Sequence, residues 1–171
     1  ARVLEFLALP YVYSIRGNHD HDFAQIPWNR LKTLTQLNYN GIRWAGTLTK
    51  KRMRAIQAKL SALPYVIEVP TPWGLVGLVH AEVPLGLSWV EFICRVEQGD
   101  EPTLNTALRG RTRMAMGEAD GAQGVPGIYR VFVGHTICWD GPQQMGNVIN
   151  VDTGAVFAEL LPPDHNRGFL T

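Results

Sequence analysis

Three short apolar runs in this chain each end in a polar turn that carries a histidine. The runs are residues 11–15, 75–79 and 130–133, and their turns contain Asn18-His19-Asp20, His80 and Gly134-His135. Runs of this length and composition predict buried strands. Open α/β sheets bind ligands beyond the carboxyl ends of their strands. The pattern therefore predicts an α/β domain with imidazole and amide groups gathered at one sheet edge, as a metal site requires.

The remaining sequence alternates helix and strand patterns, which favours a layered α/β domain. Apolar side chains at helical spacing predict a helix over residues 50–63, with Thr49 as its cap. A second helix is expected over residues 87–97, and further strands over residues 65–69, 147–151 and 155–161. Residues 27–49 and 99–127 are poorly patterned and are expected to be irregular. The 171 residues suggest a single domain.

The charge balance excludes some classes of partner as the default. The chain has 16 basic and 15 acidic residues and a net charge of +1. Such a balance argues against nucleic acid or an anionic membrane surface. No apolar run approaches the ~18 residues that span a bilayer, and no signal peptide is recognisable. A cytoplasmic location is therefore expected.

Three ordered sequence blocks resemble the later signature blocks of the calcineurin-like metallophosphoesterases. The blocks are Gly17-Asn18-His19-Asp20, Leu78-Val79-His80-Ala81 and Val133-Gly134-His135-Thr136. Asn40-Gly41 with Trp44, the Arg-Gly-Arg-Thr-Arg run at 109–113 and the run at 151–157 resemble the bacterial Ser/Thr protein phosphatase branch. The resemblance runs from residue 1 to about residue 160 and implies a layered α/β/β/α sandwich over residues 1–171.

The resemblance implies a metal centre and the residues that hold it. Asn18, His80 and His135 match the ligands of the second of two divalent metal ions. Mixed histidine, amide and carboxylate ligation suits first-row transition ions, with Mn²⁺ expected and Fe or Zn²⁺ as alternatives. The open structural alternative is a turn asparagine and two ordinary structural histidines.

The resemblance also implies roles in catalysis and substrate binding. His19 matches the general acid that protonates the leaving oxygen, and Asp20 would hold its imidazole. His21-Asp22 repeats this pair one step along and is the competing assignment.

Arginine suits bidentate contact with phosphate. Arg111 matches the arginine that grips phosphoryl oxygens, with Arg109 and Arg113 as near competitors and a solvated basic loop as the structural alternative. Arg16 could face the same pocket or pack against the sheet.

The implied activity is hydrolysis of phosphoserine and phosphothreonine in proteins or peptides. A hydroxide activated by two metal ions roughly 3.5–4 Å apart would attack phosphorus, without a phosphoenzyme. The family's two earlier blocks, Asp-x-His and Gly-Asp-x-x-Asp, do not occur in this sequence. We therefore expect an N-terminally truncated domain that lacks the first strands of its sheet and is inactive alone. The alternatives are a dinucleoside polyphosphate hydrolase and a non-catalytic remnant domain.

Overall fold

The computed structural model describes residues 2–121 and 124–155, and its backbone contacts divide the chain into two compact units. Unit 1 is Ala1–Pro64 and unit 2 is Tyr65–Thr171. Each unit has its own cluster of buried apolar side chains. Two such units can belong to one domain, so the single-domain expectation stays a prediction.

The described part of unit 1 is helical. Its elements are α1 (Val3–Phe6), α2 (Asn18–Gln25), α3 (Trp28–Gln36), a 3-10 segment (Tyr39–Thr47) and α4 (Lys50–Ser61). The predicted helix with a Thr49 cap is confirmed as α4, because the Thr49 hydroxyl accepts the Arg52 N–H at 3.2 Å. Met53, Ile56 and Leu60 are buried at the predicted helical spacing.

Two expectations for unit 1 are wrong. Residues 11–15 form no strand, and Tyr11 and Tyr13 are exposed. A strand needs a hydrogen-bonded neighbour, and the described part of unit 1 contains no other strand to supply one. Residues 27–49 are largely helical, because a left-handed turn at Asn40 and Gly41 lets two helical stretches follow each other.

Unit 2 contains a five-stranded mixed sheet, so the α/β class is confirmed. The strands are β1 (Val66–Thr71), β2 (Gly74–Val79), β3 (Arg130–Val133), β4 (Gln143–Met145) and β5 (Val148–Asn150), in the order β1-β2-β3-β5-β4. The predicted strands over residues 65–69 and 75–79 form an antiparallel pair as β1 and β2. β3 runs parallel to both β2 and β5, while β4 is antiparallel to β5 and was not predicted. The strand expected over residues 155–161 falls almost wholly outside the described residues.

Three helices belong to unit 2: α5 (Trp89–Glu97), α6 (Glu101–Arg109) and α7 (Thr112–Gly121). The helix predicted over residues 87–97 is confirmed as α5, but the expectation of an irregular segment over residues 99–127 is wrong. Asp100 caps α6 by accepting the Thr103 N–H at 3.0 Å, and the hydrogen bonds from Thr103 lower the pKa of the Asp100 carboxyl. None of the described helices is long and apolar enough to cross a membrane.

Close packing between β2 and α5 sets the position of the central strands. The Trp89 ring lies against Gly77, where an added Cβ would overlap the indole. The indole N–H donates to Glu68 Oε1 at 2.6 Å, which fixes the ring against the hairpin. Only glycine therefore fits at this point of β2 without moving the tryptophan.

We predict that Gly77→Ala lowers the free energy of unfolding by about 1–3 kcal/mol, because overpacking forces backbone or ring movement. Urea unfolding of the purified variant measures the change. Gly46→Ala is the matched control, since its added Cβ would meet Thr35 Oγ1 at an ordinary 3.4 Å. Equal stability of the two variants would contradict this account of the packing.

Candidate metal and phosphate site

The site in unit 2 is built at the carboxyl edge of two parallel strands. His80 follows β2 directly, and His135 lies two residues beyond the end of β3. The Gly134 N–H donates to the His80 carbonyl at 2.9 Å, so the pairing of the two chains continues past both strand ends. This bond holds the two histidine-bearing segments side by side, as the sequence pattern predicted.

The two imidazoles meet at hydrogen-bond distance, and an ion of ordinary ligand distance would also fit between their nitrogens. His80 Nε2 lies 3.2 Å from His135 Nδ1, and the half-buried rings meet edge to face with centroids 5.0 Å apart. An ion bound about 2.05 Å from each nitrogen would give a nitrogen–ion–nitrogen angle of about 100°. That angle lies between octahedral and tetrahedral geometry. A hydrogen bond at this spacing needs a proton on one nitrogen, and a bound ion would replace that proton.

His135 has a backbone conformation that non-glycine residues seldom adopt. Its φ is 68°, and the Thr136 N–H donates to the Gly134 carbonyl at 2.8 Å, which makes His135 the centre of a γ-turn. A γ-turn with positive φ is strained and persists only where the surrounding structure enforces it. In this conformation the His135 imidazole extends across the strand ends and contacts His80.

A buried asparagine, the last residue of the neighbouring strand β5, supports this turn. Asn150 is fully buried, and its side-chain N–H donates to the Thr136 carbonyl at 2.8 Å. Its amide oxygen accepts the Asp152 N–H at 2.9 Å. The Asp152 carboxylate in turn accepts the Gly154 N–H at 2.9 Å. Burial, together with the nearby Asp152 charge, raises the pKa of the Cys138 thiol. The thiol is therefore a neutral packing group.

Arg111 is the arginine that reaches the histidine turn. Its side chain is exposed, and Nη1 donates to Thr136 Oγ1 at 3.2 Å. The competitor Arg113 is buried, and its guanidinium donates to the Val83 carbonyl at 3.4 Å. Burial lowers the pKa of Arg113, and the Glu82 charge opposes that shift. Arg109, the other competitor, is half-buried in the last turn of α6.

The remaining predicted residues lie in unit 1, at the start of α2. Asn18, His19 and Asp20 are its first three residues, not an open turn, and His19 is exposed. Asp20 Oδ2 accepts the Gly17 N–H at 2.9 Å and so caps the helix. Adjacent helical side chains do not face each other, which explains why Asp20 bonds to the backbone and not to His19. The ligand role of Asn18 and the acid role of His19 stay predictions.

Arg16 is occupied by a structural contact in unit 1. Its guanidinium donates to the carbonyls of Ser61 and Leu63, at the carboxyl end of α4. Cations at this position neutralise the exposed carbonyls of a helix end. Arg16 therefore contacts a helix end and not the sheet, and its substrate-binding role stays a prediction.

The sequence analysis did not identify Asn150 and Glu82. Asn150 bonds to the backbone next to His135, and Glu82 bonds to the backbone next to Arg111. Each is a polar residue within an apolar stretch, and that is the signal that could have identified them. Within residues 2–121 and 124–155, no three His, Cys, Asp or Glu side chains form a metal-binding group. No protein-family model matches the chain. The likeness to metallophosphoesterases therefore stays a prediction.

We predict that Asn150→Ala weakens Mn²⁺ binding about tenfold, since residues that orient ligands typically contribute 10- to 100-fold. Titration followed by the electron paramagnetic resonance of free Mn²⁺ measures the change. Asn147→Ala is the matched control: its amide also bonds backbone groups, at the opposite end of β5. A loss of affinity as large in the control would contradict a specific role for Asn150.

Proposed function

We propose that this chain is part of a metal-dependent phosphomonoester hydrolase acting on phosphoserine and phosphothreonine in proteins. The observation that carries the proposal is the His80–His135 nitrogen pair, 3.2 Å apart beside the exposed Arg111. An ion held by the two histidines next to an arginine would suit recognition of a phosphate ester. The ordered sequence blocks support the same reading.

Each residue has one proposed task. His80 and His135 hold an ion, with Mn²⁺ favoured over Fe and Zn²⁺. Arg111 binds the equatorial phosphoryl oxygens through its planar guanidinium and offsets their growing negative charge. His19 gives a proton to the departing alkoxide. The metal centre, when loaded, supplies an activated water and further charge neutralisation.

The proposed fold is the α/β/β/α sandwich of calcineurin-like enzymes. The mixed sheet of unit 2, with β2, β3 and β5 parallel at its centre, supports this proposal. The resemblance adds Asn18 as a further ligand. A dinucleoside polyphosphate hydrolase would share the ion-binding histidines, so comparing turnover of a phosphopeptide with that of a dinucleoside tetraphosphate separates the two activities.

We predict that the chain binds Mn²⁺ and that His80→Ala or His135→Ala weakens binding more than about 100-fold, beyond the usual effect of residues that only orient ligands. Isothermal titration calorimetry gives the affinities, and Asn147→Ala is again the control for general loss of stability. If both histidine variants fold and bind Mn²⁺ as tightly as the parent chain, the metal site fails.

We further predict that the 171-residue chain hydrolyses p-nitrophenyl phosphate only at background rate. A polypeptide that also carries the Asp-x-His and Gly-Asp-x-x-Asp blocks should turn over with added Mn²⁺, because those blocks supply the first metal site. Mn²⁺-dependent turnover by the chain alone would refute the expected inactivity. Inactivity of the longer form, despite folding and metal binding, would refute the phosphatase proposal and favour a non-catalytic domain.

A further inference from the structure

Glu82 is a buried carboxylate two residues beyond the proposed ligand His80. Its side chain is only 4% exposed, and both of its oxygens accept backbone hydrogen bonds. Oε2 accepts the Thr112 N–H at 2.9 Å, and Oε1 accepts the Arg113 N–H at 2.8 Å. Both oxygens of the Glu82 carboxylate are therefore bonded to backbone N–H groups. The N–H groups belong to Thr112 and Arg113, the two residues that directly follow Arg111.

The same carboxylate also constrains the residue before Arg111. A Cβ added at Gly110 would lie 2.5 Å from Glu82 Oε2 and 2.7 Å from Glu82 Cβ. The backbone can therefore pass this close to Glu82 only as glycine. Glu82 consequently contacts the chain on both sides of Arg111. The buried negative charge also lies where α7 begins, which favours it electrostatically.

The far end of the Arg111 side chain is held as well. Its guanidinium donates to Thr136 Oγ1, directly after the proposed ligand His135. An arginine side chain loses rotamer entropy when it is held in place, so an arginine already fixed at both ends loses less when it binds an anion. Glu82 fixes one end and Thr136 the other.

We propose that Glu82 is a positioning residue that aims Arg111 at a phosphoryl group held beside His80 and His135. The proposal rests on the proposed function, because it needs an anion at that site. Glu82 links the segment that carries one metal ligand to the segment that carries the anion-binding arginine. It acts through Arg111 and does not touch the substrate.

The test uses inorganic phosphate as the probe and the Mn²⁺-loaded chain as the protein, with calorimetry as the measurement. Glu82→Ala should weaken phosphate binding about tenfold, because a charged hydrogen bond is lost or misaligned. Glu82→Gln keeps one acceptor oxygen and should fall in between. Mn²⁺ affinity should stay within about twofold of the parent in both variants, since the imidazoles are untouched.

A double-mutant cycle with Arg111→Ala identifies the route of the effect. If Glu82 acts through Arg111, the double variant Glu82→Ala/Arg111→Ala binds phosphate no more weakly than Arg111→Ala alone. Glu68→Gln is the matched control, because Glu68 also accepts a hydrogen bond in unit 2, from the Trp89 indole. Its phosphate affinity should equal that of the parent chain.

Different outcomes overturn the proposed function and the positioning role of Glu82. Absence of Mn²⁺ binding by the parent chain overturns the proposed function itself. Mn²⁺ binding without phosphate binding by the parent chain overturns the role given to Arg111 and with it the role of Glu82. Unchanged phosphate affinity in a folded Glu82→Gln chain, or fully additive losses in the cycle, overturns the positioning role alone. Thermal unfolding checks the fold of each variant, and the Gln variant keeps the test decisive if the Ala variant does not fold.

Discussion

The hydrogen bond from the Gly134 N–H to the His80 carbonyl is the contact on which the rest of the candidate site depends. It joins the ends of β2 and β3, so the two proposed ligands are neighbours across strands that are far apart in sequence. β2 is in turn held by its hairpin partner and by the fit of Gly77 against Trp89. Strand pairing, and not the loops alone, therefore sets the spacing of the imidazoles. Sites built on regular elements are held more accurately than sites on loops.

Around this bond, buried polar side chains hold irregular backbone in place. Asn150 supports the strained turn at His135, and Glu82 supports the segment that carries Arg111. Thr136 is where the two supports meet, since its carbonyl accepts from Asn150 and its hydroxyl accepts from Arg111. A buried polar group costs free energy unless its hydrogen bonds are made. Each of these side chains consequently favours one loop conformation over others, and so limits movement of the residues that would touch an ion or a phosphate.

The sequence alone was sufficient to predict the helices and strands that local interactions determine. Apolar spacing and a Thr49 cap predicted α4, and apolar runs predicted the strands that precede His80 and His135. The nearness of these histidines followed from the rule for parallel strands. Prediction failed where tertiary contacts decide. Residues 11–15 have strand-like composition but no partner strand. The helix α6 was missed although its signals are local, since Asp100 caps it and Leu104, Ala107 and Leu108 lie at helical spacing. The γ-turn and the two contacts of Glu82 depend on residues distant in sequence, and no local pattern encodes them.

We propose that His80 Nε2 and His135 Nδ1 bind the same ion. Zn²⁺ titration of the ¹⁵N-labelled chain, followed through the histidine ring nitrogens by NMR, tests it at the level of single atoms. We expect these two nitrogens to shift together and to reach their end points at one equivalent of Zn²⁺, while the other nitrogen of each ring keeps its proton. Binding through other histidines, or at only one of these two nitrogens, would contradict the account.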